Sequence, residues 1–266
     1  MTTLSLRAVP NGRVDMTGVL PETLAGRRAD DIAKQIIHLA GNPMMLGDLF
    51  EVDVDETDML VIRTDSDRLD CLGKGMSTGS VRIEGPAGHY AAQGMRGGEL
   101  DIHGDAGDGA ANGMMGGLLR IRGNAGDWLG AALIGDRTGM AGGVVAVEGN
   151  AGDRLGDRMR RGLILVRGQA GDACGARLLA GTLVVAGGCG TLPGSGLRRG
   201  SLILGRSPEA IPLSFNDSGR VDLSYLGLLH RHAESFLPGL LPASTQAHRY
   251  MGDLAFGGKG EILVLA

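Results

Sequence analysis

Glycine recurs along this chain in three columns that keep one register. The first runs Gly79, Gly98, Gly117, Gly143, Gly162, Gly181, Gly200, and the second Gly85, Gly104, Gly123, Gly149, Gly168, Gly187. The third runs Gly88, Gly107, Gly126, Gly152, Gly171, Gly190. Every step is 19 residues except one of 26, where the extra residues fall near 131–138. A fixed period of this length is the mark of a stacked-repeat architecture.

Between the first two columns lie short segments whose alternate positions are aliphatic: Val81/Ile83, Leu100/Ile102, Leu119/Ile121, Val145/Val147, Ile164/Val166, Leu183/Val185 and Leu202/Leu204. Side chains two apart share one face of a strand, so these pairs face a common core. A further column, Met76, Met95, Met114, Met140, Met159, Leu178 and Leu197, precedes the strands. Aromatic residues are only 3% of the chain, and flexible methionine fills a core that lacks large rings. The expected fold is mainly β, a right-handed parallel β-helix of about seven 19-residue coils with α/β caps at both ends. Coils about 4.8 Å apart would make a rod of roughly 30 Å. The glycines Gly85, Gly104, Gly123, Gly149, Gly168, Gly88, Gly107, Gly126, Gly152 and Gly171 are its expected structural corners, supplying backbone angles and close approach.

Residues 1–58 read as an N-terminal cap, 59–206 as the β-helix, and 207–266 as a C-terminal cap and extension. In the first cap "LSLRA" and "RVDMT" suit a hairpin, and "ADDIAKQIIHLAG" at 29–41 suits a helix ending at Gly41. "VDLSYLGLLHRHAESF" at 221–236 reads as an amphipathic helix with Leu223, Leu226 and Leu229 in its stripe.

The motifs that suggest chemistry have plainer explanations. Asp108, Asp127, Asp153 and Asp172 form a column ended by His89 and Thr191. One carboxylate per repeat is too sparse for calcium, and capping of corner N–H groups accounts for it better. "LVVAGGCGTLPGSG" at 183–196 lacks a properly spaced dinucleotide fingerprint, and "GKG" at 73–75 and 258–260 lacks the Ser or Thr of a phosphate loop. His230 and His232 fall two apart on the expected helix and so diverge. Cys71, Cys174 and Cys189 show no CxxC spacing. No catalytic, cofactor-binding or metal-binding residue is singled out. The net charge of −4 and the absence of a basic run exclude a nucleic-acid surface. No apolar run approaches a membrane span, and no leader pattern opens the sequence, so the expectation is a cytoplasmic protein.

The coils, together with "NPMMLGDLFEVD" at 42–53 and "YMGDLAFGGKGEILVL" at 250–265, resemble the family of the formylmethanofuran dehydrogenase C subunit. That family is similar to the C-terminal domain of the glutamate synthase large subunit. The likeness covers nearly the whole chain and implies a right-handed parallel β-helix with an organising role. The bacterial branch, formyltransferase/hydrolase complexes making formate from formyl-tetrahydromethanopterin through a methanofuran-like carrier, is the nearer match. The alternative is a tungsten or molybdenum redox complex. The resemblance implies as partners an amidohydrolase-like A subunit, a B subunit and a formyltransferase subunit. The coenzymes, of the methanofuran and tetrahydromethanopterin types, would be handled by the complex, with none held by this chain. A free-standing hexapeptide acyltransferase is the rival from another class; its 18-residue coil of [LIV]-G-x-x-x-x hexads is not present.

Two surfaces qualify as candidate interfaces. Trp128 stands in an outward column with Gly109, Arg154 and Ala173, beside the extra residues that include Ile134. Tryptophan is enriched at binding hot spots, although a lone exposed ring also serves local packing. The outward strand positions read Arg82, Asp101, Arg120, Ala146, Leu165, Val184 and Ile203, so the face turns apolar halfway along, with Leu163 beside it. Such a face needs a cover, either residues 207–266 or another subunit.

Overall fold

The computed structural model describes residues 2–55 and 59–265, so the last residues of the expected N-terminal cap (56–58) lie outside the described set. The N-terminal part supplies β1 (Thr2–Leu6), β2 (Val14–Asp15), α1 (Pro21–Leu24), α2 (Ala29–Ala33), β3 (Ile36–Leu39), β4 (Asn42–Met45), α3 (Leu46–Leu49) and β5 (Phe50–Val54). The expected hairpin does not form. β1 pairs antiparallel with β5, whereas β2 pairs with β3 in a separate sheet. The expected helix over 29–41 stops at Ala33. Its second half is β3, which turns through Ala40 and Gly41, both at positive φ, into antiparallel β4. Adjacent β-branched Ile36 and Ile37 favour a strand, and Gly41 serves a tight two-residue turn rather than a helix end.

The repeats follow as β6 (Met59–Arg63), β7 (Leu69–Asp70), β8 (Ser80–Glu84), β9 (Glu99–Ile102), β10 (Leu118–Ile121), β11 (Ala141–Val147), β12 (Arg161–Val166), β13 (Thr182–Val185) and β14 (Ser201–Leu204). From β6 to β14, omitting β7, each strand pairs in parallel with the next. The register aligns Val81, Leu100, Leu119, Val145, Ile164, Leu183 and Leu202. These side chains and the methionine column are buried. From β8 to β13 each repeat holds one strand; its other side contributes a single bridging residue, in the series Ala87, Ala106, Ala125, Ala151, Ala170 and Cys189.

The chain closes with β15 (Asn216–Asp222), α4 (Ser224–Glu234), β16 (Gln246–Gly252) and β17 (Gly260–Leu265). Residues 221 and 222, expected to open the helix, belong to β15. The result is a mainly β protein with a 13-stranded, mostly parallel sheet, in which β1 and β17 each add a parallel strand beside β6 and β14. The arrangement is compatible with a solenoid.

The glycine columns answer to different demands. Gly117 of the first column has φ +86°, in the region that only glycine enters readily. Those of the third column are required by close approach. A Cβ on Gly152 would lie 2.1 Å from Asp127 Oδ1, because that oxygen passes over the glycine to accept the N–H of Asp153 at 2.8 Å. The same bond recurs from Asp127 N–H to Asp108, from Asp172 N–H to Asp153 and from Thr191 N–H to Asp172. Below Asp108 the ladder continues through His89 Nδ1, which accepts from Asp108 N–H, and Asp70 Oδ1, which accepts from His89 N–H. Arg13 closes that end with two hydrogen bonds to Asp70. A second ladder, not read from the sequence, links Asp105, Asn124 and Asn150 to the N–H groups of Asn124, Asn150 and Gln169.

The apolar outer face is covered by the chain itself. Ala146, Leu163, Leu165, Val184 and Ile203 are buried in one cluster with Leu226, Ala233, Leu237, Leu240, Leu241, Ala247 and Leu263. Leu163, Leu165, Val184 and Ile203 therefore offer nothing to another subunit, because the stripe of α4 and the turns after it already occupy them. Arg120 and Arg167 pin the cover by donating to the carbonyls of Phe236 and Pro238 at 3.2 and 2.9 Å.

Asp127→Ala leaves the Asp153 N–H without its partner and is expected to lower unfolding free energy by about 1 kcal/mol, measured by denaturant titration. Leu226→Ala is expected to cost about 2–4 kcal/mol and to expose residues 223–243 to limited proteolysis; resistance equal to wild type would contradict the covering role.

Candidate functional site

Where the period breaks, the surface opens. Ala132 N–H donates to Asp157 O, and the regular path resumes where Gly139 N–H donates to Arg158 O, so residues 133–138 step outward between the two. The corner column that carries Asn112 and Asp157 holds only Ala131 in the intervening repeat. The missing side chain and the displaced loop leave a cleft of about 650 Å³. Its lining includes Tyr90, Asp108, Asn112, Trp128, Leu133, Ile134, Asp157, Arg158 and Arg177.

Trp128 belongs to an outward column that also contains Tyr90, Arg154, Ala173 and Leu192, all at positive φ. Each follows a ladder position, and the N–H groups of Tyr90, Trp128, Arg154 and Ala173 bond to the next repeat: Trp128 N–H reaches Asp153 O at 2.8 Å. The ring is 39% exposed, and Arg154 lies 4.8 Å over its centroid. The Tyr90 ring rests over Gly109, where a Cβ would come within 2.7 Å of it. Ile134, at the tip of the loop, is fully exposed. The structure thus brings Trp128 and Ile134 to one cleft and adds Tyr90 and Asn112, which the sequence did not single out.

The polar groups of the cleft are held tightly. Asp157 is 1% exposed and accepts from Arg177 Nε at 2.8 Å and again from its Nη2, with Arg154 Nη1 at 3.5 Å. The hydrogen bond to Asp157 raises the Arg177 pKa above that of a free guanidinium. Arg158 donates to the carbonyl of Asp136 at 2.9 Å. A carboxylate committed to two guanidinium groups is not available as a base, and among the described residues no serine, threonine or cysteine lines the cleft.

Elsewhere, Cys174 is buried, and its hydrogen bond with Cys189 together with burial pushes its thiol pKa up, away from a nucleophilic state. His230 approaches Glu234 while His232 stacks edge-on against Phe236, so the pair does not converge. Among the described residues, no three His, Cys, Asp or Glu side chains gather as a metal site, and no helix is long and apolar enough to cross a membrane.

No family model matches the chain. A curated relative, the C subunit of the formyltransferase/hydrolase complex Fhc of Methylorubrum extorquens, is 41% identical over 88 residues, 33% of this chain and 33% of that protein. The local sequence match thus spans about a third of the curated relative's length. The structural likeness is nearly complete. A chain from the crystal structure of the Methylorubrum extorquens formyltransferase/hydrolase complex FhcABCD, solved with methylofuran, superposes with a TM-score of 0.92 at 40% identity. The match covers 99% of both chains.

Trp128 is partly exposed and makes a cation–π contact with a solvated arginine. Trp128→Ala is therefore expected to change the chain's own unfolding free energy by about 1 kcal/mol or less. A much larger loss in thermal or denaturant unfolding would show that the ring holds the 133–138 loop in place.

Proposed function

The chain belongs to the family of the formyltransferase/hydrolase complex C subunit, and from that membership we propose that it is the non-catalytic, organising subunit of such a complex. The assembly converts formyl-tetrahydromethanopterin to formate through a formylmethanofuran-like intermediate in one-carbon metabolism. Its partners are an amidohydrolase-like A subunit, a B subunit and a formyltransferase subunit in the cytoplasm. The coenzyme chemistry belongs to those subunits. The observation that carries the reading is the 0.92 TM-score at 40% identity over 99% of both chains. Both relatives bear the formyltransferase/hydrolase name, and neither favours the tungsten or molybdenum redox alternative.

In this reading the parallel stack is a right-handed β-helix of about seven coils, since parallel crossover connections in one sheet are overwhelmingly right-handed. Residues 59–206 form its body, with caps at 1–58 and 207–266. The glycines in register at its corners keep the repeats close enough to stack. The coil is a rigid ruler, and the cleft of Trp128 and Ile134 is where another subunit seats. An exposed tryptophan beside a fully exposed isoleucine, next to a carboxylate already neutralised by arginine, has the make-up of a hot spot.

Native purification through a tag on this chain should co-elute the other subunits, identified by mass spectrometry. The purified chain alone should turn over no formyl-coenzyme, while deleting it should lower assembly and activity of the complex. Trp128→Ala should weaken incorporation into the complex by about tenfold or more. Turnover by the isolated chain at the rate of the complex, or elution without partners, would overturn the reading.

A further inference from the structure

The corner that leads into the last strands of the stack carries charge that the chain leaves unanswered. The sequence "RRG" occurs at 160–162 and again at 198–200, two periods apart. The N–H groups of Arg160, Leu179 and Arg198 donate to Met140 O, Met159 O and Leu178 O, so the three residues hold one position on successive repeats. Lys259 extends the line, its N–H donating to Arg198 O at 2.7 Å. Arg160, Arg161, Arg198, Arg199 and Lys259 are all exposed, and the repeat between the two pairs presents half-buried Leu179 and Ala180. Strands stacked about 4.8 Å apart make this a stripe roughly 15 Å long. Among the described residues, none of the five side chains has a hydrogen bond or ion pair. Nearby carboxylates are engaged elsewhere. Glu261 is ion-paired with Arg249 and accepts from Ser201 and Tyr225, and Asp253 accepts the N–H groups of Gly196 and Ala255. Like charges on neighbouring strands repel, yet a chain of net charge −4 gathers five cations here.

An apolar knob stands at the end of the stripe. The short turn Leu254–Phe256 is pinned to the last repeat by Asp253, and it leaves Leu254 and Phe256 60% and 63% exposed. Leu254 N–H donates to Ser214 O, which brings the fully exposed Leu213 to the same end. Resting on the proposed role as a docking subunit, we infer that this corner is a second docking surface, which seats an acidic polypeptide segment of another subunit. Its carboxylates pair with the arginines, and an apolar residue beside them packs on Leu254 and Phe256. Guanidinium groups take carboxylates through two parallel hydrogen bonds, which fixes geometry as well as charge. An extended segment places alternate side chains about 7 Å apart, so a few acidic residues span the stripe. A nucleic acid fits less well, because its phosphates would run past five cations onto a net-negative surface.

A water-soluble carbodiimide joins an amine to a carboxylate only where the two touch, and Lys259 is one of three lysines, with Lys34 and Lys74. In the purified wild-type complex, mass spectrometry of the cross-linked peptides should find Lys259 Nζ in an amide with an Asp or Glu of another subunit. Lys259 left uncoupled, or coupled to a second copy of this chain, would overturn the inference. Variants test the charge. Arg198→Glu with Arg199→Glu removes no internal partner, so the chain's Tm should not change. When this variant and the tagged wild-type chain are co-expressed and compete for the other subunits, its incorporation should fall at least tenfold. Arg198→Lys with Arg199→Lys keeps the charge and should retain most of it. Equal incorporation of the Glu and Lys variants would overturn the inference. So would a labelled RNA oligomer that binds the wild-type chain and not the Glu variant, with incorporation unchanged, since the stripe would then serve nucleic acid. If the Glu variant incorporates normally and Trp128→Ala does not, this inference fails and the docking cleft stands. If both incorporate normally, the docking reading fails with it.

Discussion

The stack depends on one short contact, in which a side-chain oxygen of one repeat accepts the backbone N–H of the same position in the next. It occurs along two lines, and each line has its own glycine. Where Asp127 Oδ1 meets Asp153 N–H, the oxygen lies only 2.1 Å from where a Cβ of Gly152 would be. The aspartate and the glycine are therefore one device divided between successive repeats. Each rung is worth only about 1 kcal/mol, but every repeat touches its neighbours through the same bonds, so the terms add along the stack. Substituting an acceptor loses one rung. Substituting a glycine displaces the acceptor beneath it and disturbs the local spacing of the sheet.

That coupling is why the middle of the chain was legible in its sequence. A strand that must align Val81 with Leu100 and Leu119 tolerates no shift in register, since a slip of one residue would turn its aliphatic side chains outward. The caps lack this constraint. In "ADDIAKQIIHLAG" the spacing of Ile32, Ile36 and Leu39 satisfies a helical period as well as any short helix does. Docking against β2 and a tight turn at Ala40 and Gly41 decided for a strand instead. Elements of four or five residues are settled by what they pack against, and that information is not local. The second ladder is less visible in the sequence because its column mixes residue types, running Pro86, Asp105, Asn124, Asn150 and Gln169.

The outer face shows a different boundary of sequence reasoning. Ala146, Leu165, Val184 and Ile203 announced that something must cover them, because four successive outward positions without a polar group do not face water. Leu226 and Leu237 are as apolar as the surface of any partner would be, and sequence alone admits both covers. The chain's own segment has the advantage of attachment: its local concentration is set by a short connection, whereas a partner must first be encountered. With Arg120 and Arg167 binding carbonyls at the end of α4, the cover is fastened by polar bonds at its margin and apolar contact at its centre.

A repeat this regular leaves few places where one site can differ from the next. Inward positions are fixed by the core, corners by the ladders, and half of the outer face by α4. What remains is the outward column after each ladder residue, the two positions before each first-column glycine, and any point where the period breaks. Trp128 lies at the coincidence of the first and the last, which is why a lone tryptophan was visible from the sequence as a candidate. Asn112 was not visible, because its column holds polar residues in other repeats too, among them Gln93, Asp157 and Ser195. It lines the cleft because the next repeat places only Ala131 in that column. The same insertion that cost the stack a regular corner thus produced the cleft and exposed Ile134, two consequences of a single departure from the 19-residue period.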